Sequence, residues 1–344
     1  MRWENYMNYS DREKLKRLRH TFELNFRLTR LYANYLELCP ELITKEMVDE
    51  LTRDTDIEKT VALSALVAEI FGLDDARGGD DRRLIRDYLP RSVTLLSKEK
   101  YYNDPYYRNI KIPEISDGDW EFRHEVYPPY RAVVAGDMLL SEDFSEFPPL
   151  GFFESEFRFP AVLEGGNEWM TLTPVDLDTS TEAIARSRGK VITFGLGLGY
   201  FAYMASEKPE VTSVTVVERS EDVIRLFKKY ILPQFGFADK IRIVSADALD
   251  YAKNVMPGED YDIAFVDTWR DASDGAPMFL RMKELEKLSP KTEFLYWIEG
   301  FIRSRLRSIR FFELTDMIDA GDPDAPGSYS EFLEMLEEFP KGEL

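Results

Sequence analysis

The stretch Val191-Ile-Thr-Phe-Gly195-Leu-Gly197-Leu-Gly199-Tyr200 runs four residues of high strand propensity into three alternating glycines, and a helical pattern starts directly after them. Backbone of this kind can bring bare N–H groups close to a ligand at a helix N-terminus. A carboxylate, Glu218, follows at the spacing where an acidic residue accepts hydrogen bonds from ribose hydroxyls. The glycines also admit a plainer reading, a tight turn and a close helix–strand contact with no ligand.

Outward from this loop the pattern is regular. Residues 181–188 read as helix, 190–194 as strand, 200–206 as helix, 214–218 as strand and 221–231 as helix. Further strands are expected at 241–244, 263–267 and 293–298, with helices near 248–255 and 277–288. Strict alternation implies right-handed crossovers and a parallel sheet covered on both faces. The unbroken apolar run Ile263-Ala-Phe-Val266 suits a strand buried on both sides. Ligands of such sheets lie beyond the C-terminal strand ends, near the point where strand order reverses. The chemically loaded residues fall there: the three glycines, Glu218 with Arg219, Ser245-Ala246-Asp247-Ala248, Asp267-Thr268-Trp269-Arg270-Asp271 and Glu299-Gly300. A nicotinamide or flavin site competes, but its G-x-G-x-x-G/A pattern needs a small residue where Tyr200 stands.

Residues 186–300 resemble the S-adenosylmethionine-binding domain of class I methyltransferases, a Rossmann-like doubly wound α/β fold. The resemblance implies S-adenosylmethionine as cofactor, with the loop of Gly195, Leu196, Gly197, Gly199 and Tyr200 passing beneath its methionine and ribose parts. It implies that Glu218, beside Arg219, holds the ribose hydroxyls and that Asp247, with Ala248, receives the adenine amino group. Asp267 would close the methionine side. The chain departs from that family at Thr193, where many members carry an acidic residue, and in lacking two clear closing strands, since 301–318 reads as helix. The order of parts is also similar to the polyamine aminopropyltransferases, spermidine synthase and its relatives. Their Asp-rich loop follows the fourth strand, where this chain has Asp267-Thr-Trp-Arg-Asp271 with no proline.

Upstream, the first ninety residues read as helical, with Ser10-Asp-Arg-Glu13 as a capping box and helices near 44–51, 56–71 and 81–90. From Tyr101 to Thr173 the chain turns rich in aromatics and prolines, with strands expected at 130–134 and 167–173. The side chains of this segment, Trp169 among them, either line a ligand entrance or form the core of a small sheet. The domain expectation is therefore a helical region over 1–95, a small β-rich subdomain over 96–180, and the nucleotide-binding domain with a helical acidic tail over 181–344.

The net charge of −20 argues against a general binder of nucleic-acid backbones. Cys39 is the single cysteine, which excludes internal disulfides and cysteine-based zinc sites, and His20 and His124 suggest no metal pair. The N-terminus has no signal-peptide core and no apolar run spans a membrane, so a cytoplasmic protein is the expectation, with a homodimer as a candidate assembly. Asp267, Asp271, Asp274 and Glu299 could hold a cationic acceptor, with Trp269 as a cation–π face and Asp267 as base. Alternatively, Asp271 and Asp274 cap the helix expected near Pro277. Arg303, Arg305, Arg307 and Arg310 are read as pairing with the acidic stretch beyond them or as a solvated face. His124 shows no evident partner. Function is read as S-adenosylmethionine-dependent methyl transfer to a small, amine-type acceptor. The alternatives are aminopropyl transfer from the decarboxylated cofactor and a non-catalytic nucleoside-binding or scaffold protein.

Overall fold

The computed structural model describes residues 7–339. It is a mixed α/β structure: an N-terminal helical region, small antiparallel sheets, then a five-strand parallel sheet of Rossmann-like topology. The chain forms two compact units. One comprises residues 7–94, 137–151 and 300–339, and the other Leu95–Gly136 and Phe152–Glu299.

The second unit holds the parallel sheet. Its strands are β1 (Gly189–Phe194), β2 (Val211–Glu218), β3 (Ile241–Ser245), β4 (Ile263–Val266) and β5 (Glu293–Tyr296), in the order β3-β2-β1-β4-β5. The order reverses beside β1. Register is set by pairs such as Phe194 with Val217 and with Val266, and Glu218 with Ser245. All of β4 and the stretch Val214–Val217 of β2 are buried, as a sheet covered on both faces requires. Helices α1 (Pro174–Arg186), α2 (Tyr200–Ser206), α3 (Glu221–Leu226), α4 (Ala248–Asn254) and α5 (Ala272–Glu286) complete the alternation. No sixth or seventh strand joins this sheet among the described residues, because the chain enters the 22-residue helix Glu299–Ala320 instead.

The same unit contains a four-strand antiparallel sheet in chain order: Ile115–Asp117, Trp120–Tyr127, Phe157–Glu164 and Asn167–Thr171. Gly165 and Gly166, at φ +58° and +81°, make the two-residue hairpin turn that an L side chain would strain. Expected strand 130–134 shrinks to Val133–Val134, since Tyr130 takes φ +58° and cannot continue a strand.

In the helical unit, the first helix is Tyr9–Leu38. Its N-cap is Asn8, whose side chain accepts from the Asp11 N–H at 2.9 Å, so Ser10 lies inside the helix and the expected capping box does not form. Leu15, Leu18 and Phe22 of this helix share one apolar cluster with Phe311, Leu314, Ile318, Phe332 and Leu336. Phe22 stacks on Phe311 at 4.1 Å. Residues 300–339, read from sequence alongside the parallel sheet, thus group with the N-terminal helices. Arg307 pairs with buried Glu146 at 2.7 Å, while Arg310 reaches Glu313 at 3.3 Å and Glu338 at 3.8 Å. Only the latter follows the expected pairing with the downstream acids.

Candidate functional site

The C-terminal ends of β1, β2, β3 and β4 meet along one rim. The Gly195 N–H donates to the Val217 carbonyl (2.9 Å), Asp267 N–H to Phe194 (2.9 Å) and Ala246 N–H to Glu218 (3.1 Å). This stitching brings the glycine loop, Glu218, Asp247 and Asp267 to the same edge of the sheet, at its point of reversal.

The three glycines are required for different reasons. At Gly195 (φ +97°) a Cβ would lie 1.8 Å from the Asp267 carbonyl oxygen, and at Gly199 (φ +79°) 2.3 Å from the Phe227 ring. Both are close approaches of protein to protein, as the plainer reading of the motif holds. Gly195 and Gly197 both line the crevice, and at Gly197 (φ +52°) a Cβ would meet Met170 Cε at 3.2 Å.

Glu218 binds the loop itself: its carboxylate accepts from Leu196 N–H (3.2 Å) and Ser220 N–H (2.8 Å). Arg219 beside it is exposed. Asp247 is exposed and caps α4 through Oδ1, taking the N–H groups of Leu249 (2.9 Å) and Asp250 (3.1 Å), with Ala248 buried behind it. Tyr200 donates to Asp104 Oδ2 at 3.1 Å and packs edge-on against Tyr106.

Asp267 accepts no hydrogen bond on its side chain from any described residue. Burial, with the nearby charges of Asp176 and Glu218, pushes its carboxyl up to about 8. Asp176 lines the same crevice at the start of α1, closing a capping box with Thr173 at 2.7 Å, and burial raises it to about 6. Sequence reasoning missed Asp176, although Thr173-Pro-Val-Asp176 carries the helix-start signal. Trp297, just after β5, also lines the crevice, and its indole N–H has no partner among the described residues; nor does the Thr268 hydroxyl, next to Asp267. Ile298 follows at φ +47°, an uncommon and strained backbone for a β-branched residue.

The crevice is narrow. Met170, Leu172, Leu196, Leu198 and Phe201 close it to a void of about 20 Å³, room for about one water molecule. Several other sequence candidates lie elsewhere. Trp169 packs edge-on against Trp120 at 5.3 Å in the antiparallel sheet. Trp269 is buried, stacked on Tyr296, with Gly275 pressed against its ring. Asp271 is the N-cap of α5, accepting from Ser273 and Asp274, and Asp274 returns the bond to the Asp271 N–H. The helix therefore starts five residues before Pro277. Glu299 opens the helix after β5. His124, expected without a partner, sits 3.2 Å from Glu114. No group of three or more His, Cys, Asp or Glu among the described residues is placed to hold a metal ion.

No protein-family model and no curated protein matches the chain. Solved structures do. Precorrin 8w decarboxylase from Methanobacterium thermoautotrophicum is 17% identical over 36% of this chain and 64% of its own, with a TM-score of 0.28. Spermidine synthase from Thermotoga maritima is 18% identical over 44% of this chain and 59% of its own, with a TM-score of 0.30. A spermidine synthase in complex with the transition-state analogue AdoDATO is 18% identical over 44% and 58%, also at 0.30. The chain spans less than two thirds of each of these proteins. All three align with under half of this chain.

Proposed function

We propose that this chain binds S-adenosylmethionine at the rim and transfers its methyl group to a small, amine-type acceptor. The observation that carries the reading is the crowding of three carboxyl groups, Asp267, Asp176 and Glu218, around the glycine loop, with no cationic side chain among the described residues bonded to any of them. Such a cluster is electrostatically costly until a positive charge enters it, and a sulfonium or an ammonium supplies that charge. The residues fit the cofactor at its adenosine end: Glu218 for ribose hydroxyls and Asp247 Oδ2 for the adenine amino group. The unpartnered Trp297 N–H is a donor available to a carboxylate. At the methionine end Met170 and Leu172 must move.

The bound cofactor supplies an alkyl group already attached to its leaving group. The protein's part is then mainly to hold the acceptor nitrogen in line. Asp267, with a pKa near the working pH, takes the acceptor's proton. Titration calorimetry with S-adenosylmethionine and its demethylated product tests this: one site is expected, lost in Glu218→Ala, and no heat with either ligand rejects the reading. Decarboxylated S-adenosylmethionine serves as the comparison, because a preference for it points to aminopropyl transfer.

A second reading is favoured by the thioether of Met170 over Gly197. There, a protein side chain occupies the place of the cofactor's methionine arm, and the protein binds nucleoside without transferring anything. Binding without turnover of methyl-labelled cofactor across an amine panel would select it.

A further inference from the structure

A second cleft, of about 390 Å³, opens in the same unit between the short helices Lys98–Tyr102 and Pro105–Asn109 and the antiparallel sheet. Its volume lies in the range of about 300–1,000 Å³ usual for small-molecule sites. Tyr102, Tyr106 and Tyr107 form aromatic walls, and Lys111, His124 and Arg158 stand around them. The walls are fixed by hydrogen bonds to backbone. The Tyr102 hydroxyl accepts from Arg158 N–H (2.7 Å), Tyr107 donates to the Leu172 carbonyl (2.6 Å), and Tyr106 donates to the Leu198 carbonyl (2.5 Å). Tyr102 also stacks on Phe157 at 5.3 Å. The site is therefore pre-formed, which lowers the ordering cost of binding.

Its charge runs against that of the chain. Arg158 and His124 share one carboxylate, Glu114. The Lys111 ammonium meets only the Tyr107 carbonyl, at 3.4 Å, and has no carboxylate partner among the described residues. Among the residues lining the cleft, Lys111 and Arg158 are cationic and none is an Asp or Glu, in a protein of net charge −20.

We propose that this cleft is a second ligand site, for a small monoanion with a flat apolar body such as an aryl carboxylate. The carboxylate would pair with Lys111 and Arg158 while the body lies against the tyrosines. The assignment does not rest on S-adenosylmethionine binding.

Titration calorimetry of the full chain with naphthalene-2-carboxylate tests it, with the methyl ester and naphthalen-2-ylmethylamine as neutral and cationic matches. The carboxylate is expected to bind at one site and at least about tenfold more tightly than either match. Lys111→Ala and Arg158→Ala should each weaken it about tenfold, whereas Asp267→Asn, in the other crevice, leaves it unchanged. If Arg158→Ala does not fold, Lys111→Ala, which breaks no ion pair, decides alone. Equal affinity for ester and carboxylate, indifference to Lys111→Ala, or no binding overturns the proposal.

Discussion

Replacing Asp267 by Asn removes a titration that the fold itself opposes. The native carboxyl titrates near 8 because it is buried and faces Asp176 and Glu218, whereas in the unfolded chain it titrates near its ordinary 3.8. Between those values the native state holds a proton that the unfolded state has lost. The stability associated with that proton is fully present below pH 3.8 and is lost as pH rises through 8. At about 1.4 kcal/mol per pH unit the ceiling is about 6 kcal/mol, and water reaching the partly exposed crevice reduces the expected loss to about 2–3 kcal/mol. Asn mimics the protonated acid at every pH. Wild type and Asp267→Asn should therefore unfold in urea with similar free energies at pH 4.5, while at pH 8.5 the variant should be more stable by about 2–3 kcal/mol. Other raised carboxyls, such as Glu146, change both proteins alike and cancel in the difference. Parallel pH profiles for the two proteins would refute the reasoning.

Gly195→Ala should cost more than about 3 kcal/mol by denaturant unfolding, since it combines φ +97° with a Cβ 1.8 Å from the Asp267 carbonyl oxygen; a loss below about 1 kcal/mol would contradict the contact. Glu146→Ala strands the largely buried Arg307 and should destabilise by about 3–5 kcal/mol, while Glu146→Met with Arg307→Met should recover most of that loss, read by the same urea titrations. Met170→Ala widens the crevice over Gly197 and should strengthen S-adenosylhomocysteine binding several-fold by calorimetry; unchanged affinity would mean that this side chain does not gate the site.

The parallel sheet was legible in sequence because strands buried on both faces must be continuously apolar, as β4 is, and because the glycine loop marks where β1 stops. The rim that unites Glu218, Asp247 and Asp267 followed from topology. What stayed hidden depended on packing. Trp120–Tyr127 alternates in burial only at its start, and Phe157–Glu164 contains Pro160, a residue that argues against an inner strand. Trp269 carries the same residue type whether it faces a ligand or Tyr296, and no spacing distinguishes the two. The closing of the crevice by Met170 and Leu172 depends on how a β-hairpin and α1 fold back, which local pattern does not encode.

The helical unit draws its apolar cluster from both flanks of the sequence, with Phe22 seated on Phe311. During synthesis, Leu15, Leu18 and Phe22 would therefore emerge from the ribosome long before their partners exist. The whole parallel sheet would be translated in the interval, free to fold first. Until residues 300–339 arrive, the nascent first helix carries an oily stripe in need of a chaperone or a temporary partner, so shortening the chain before Phe311 should yield an aggregating product rather than a smaller folded protein.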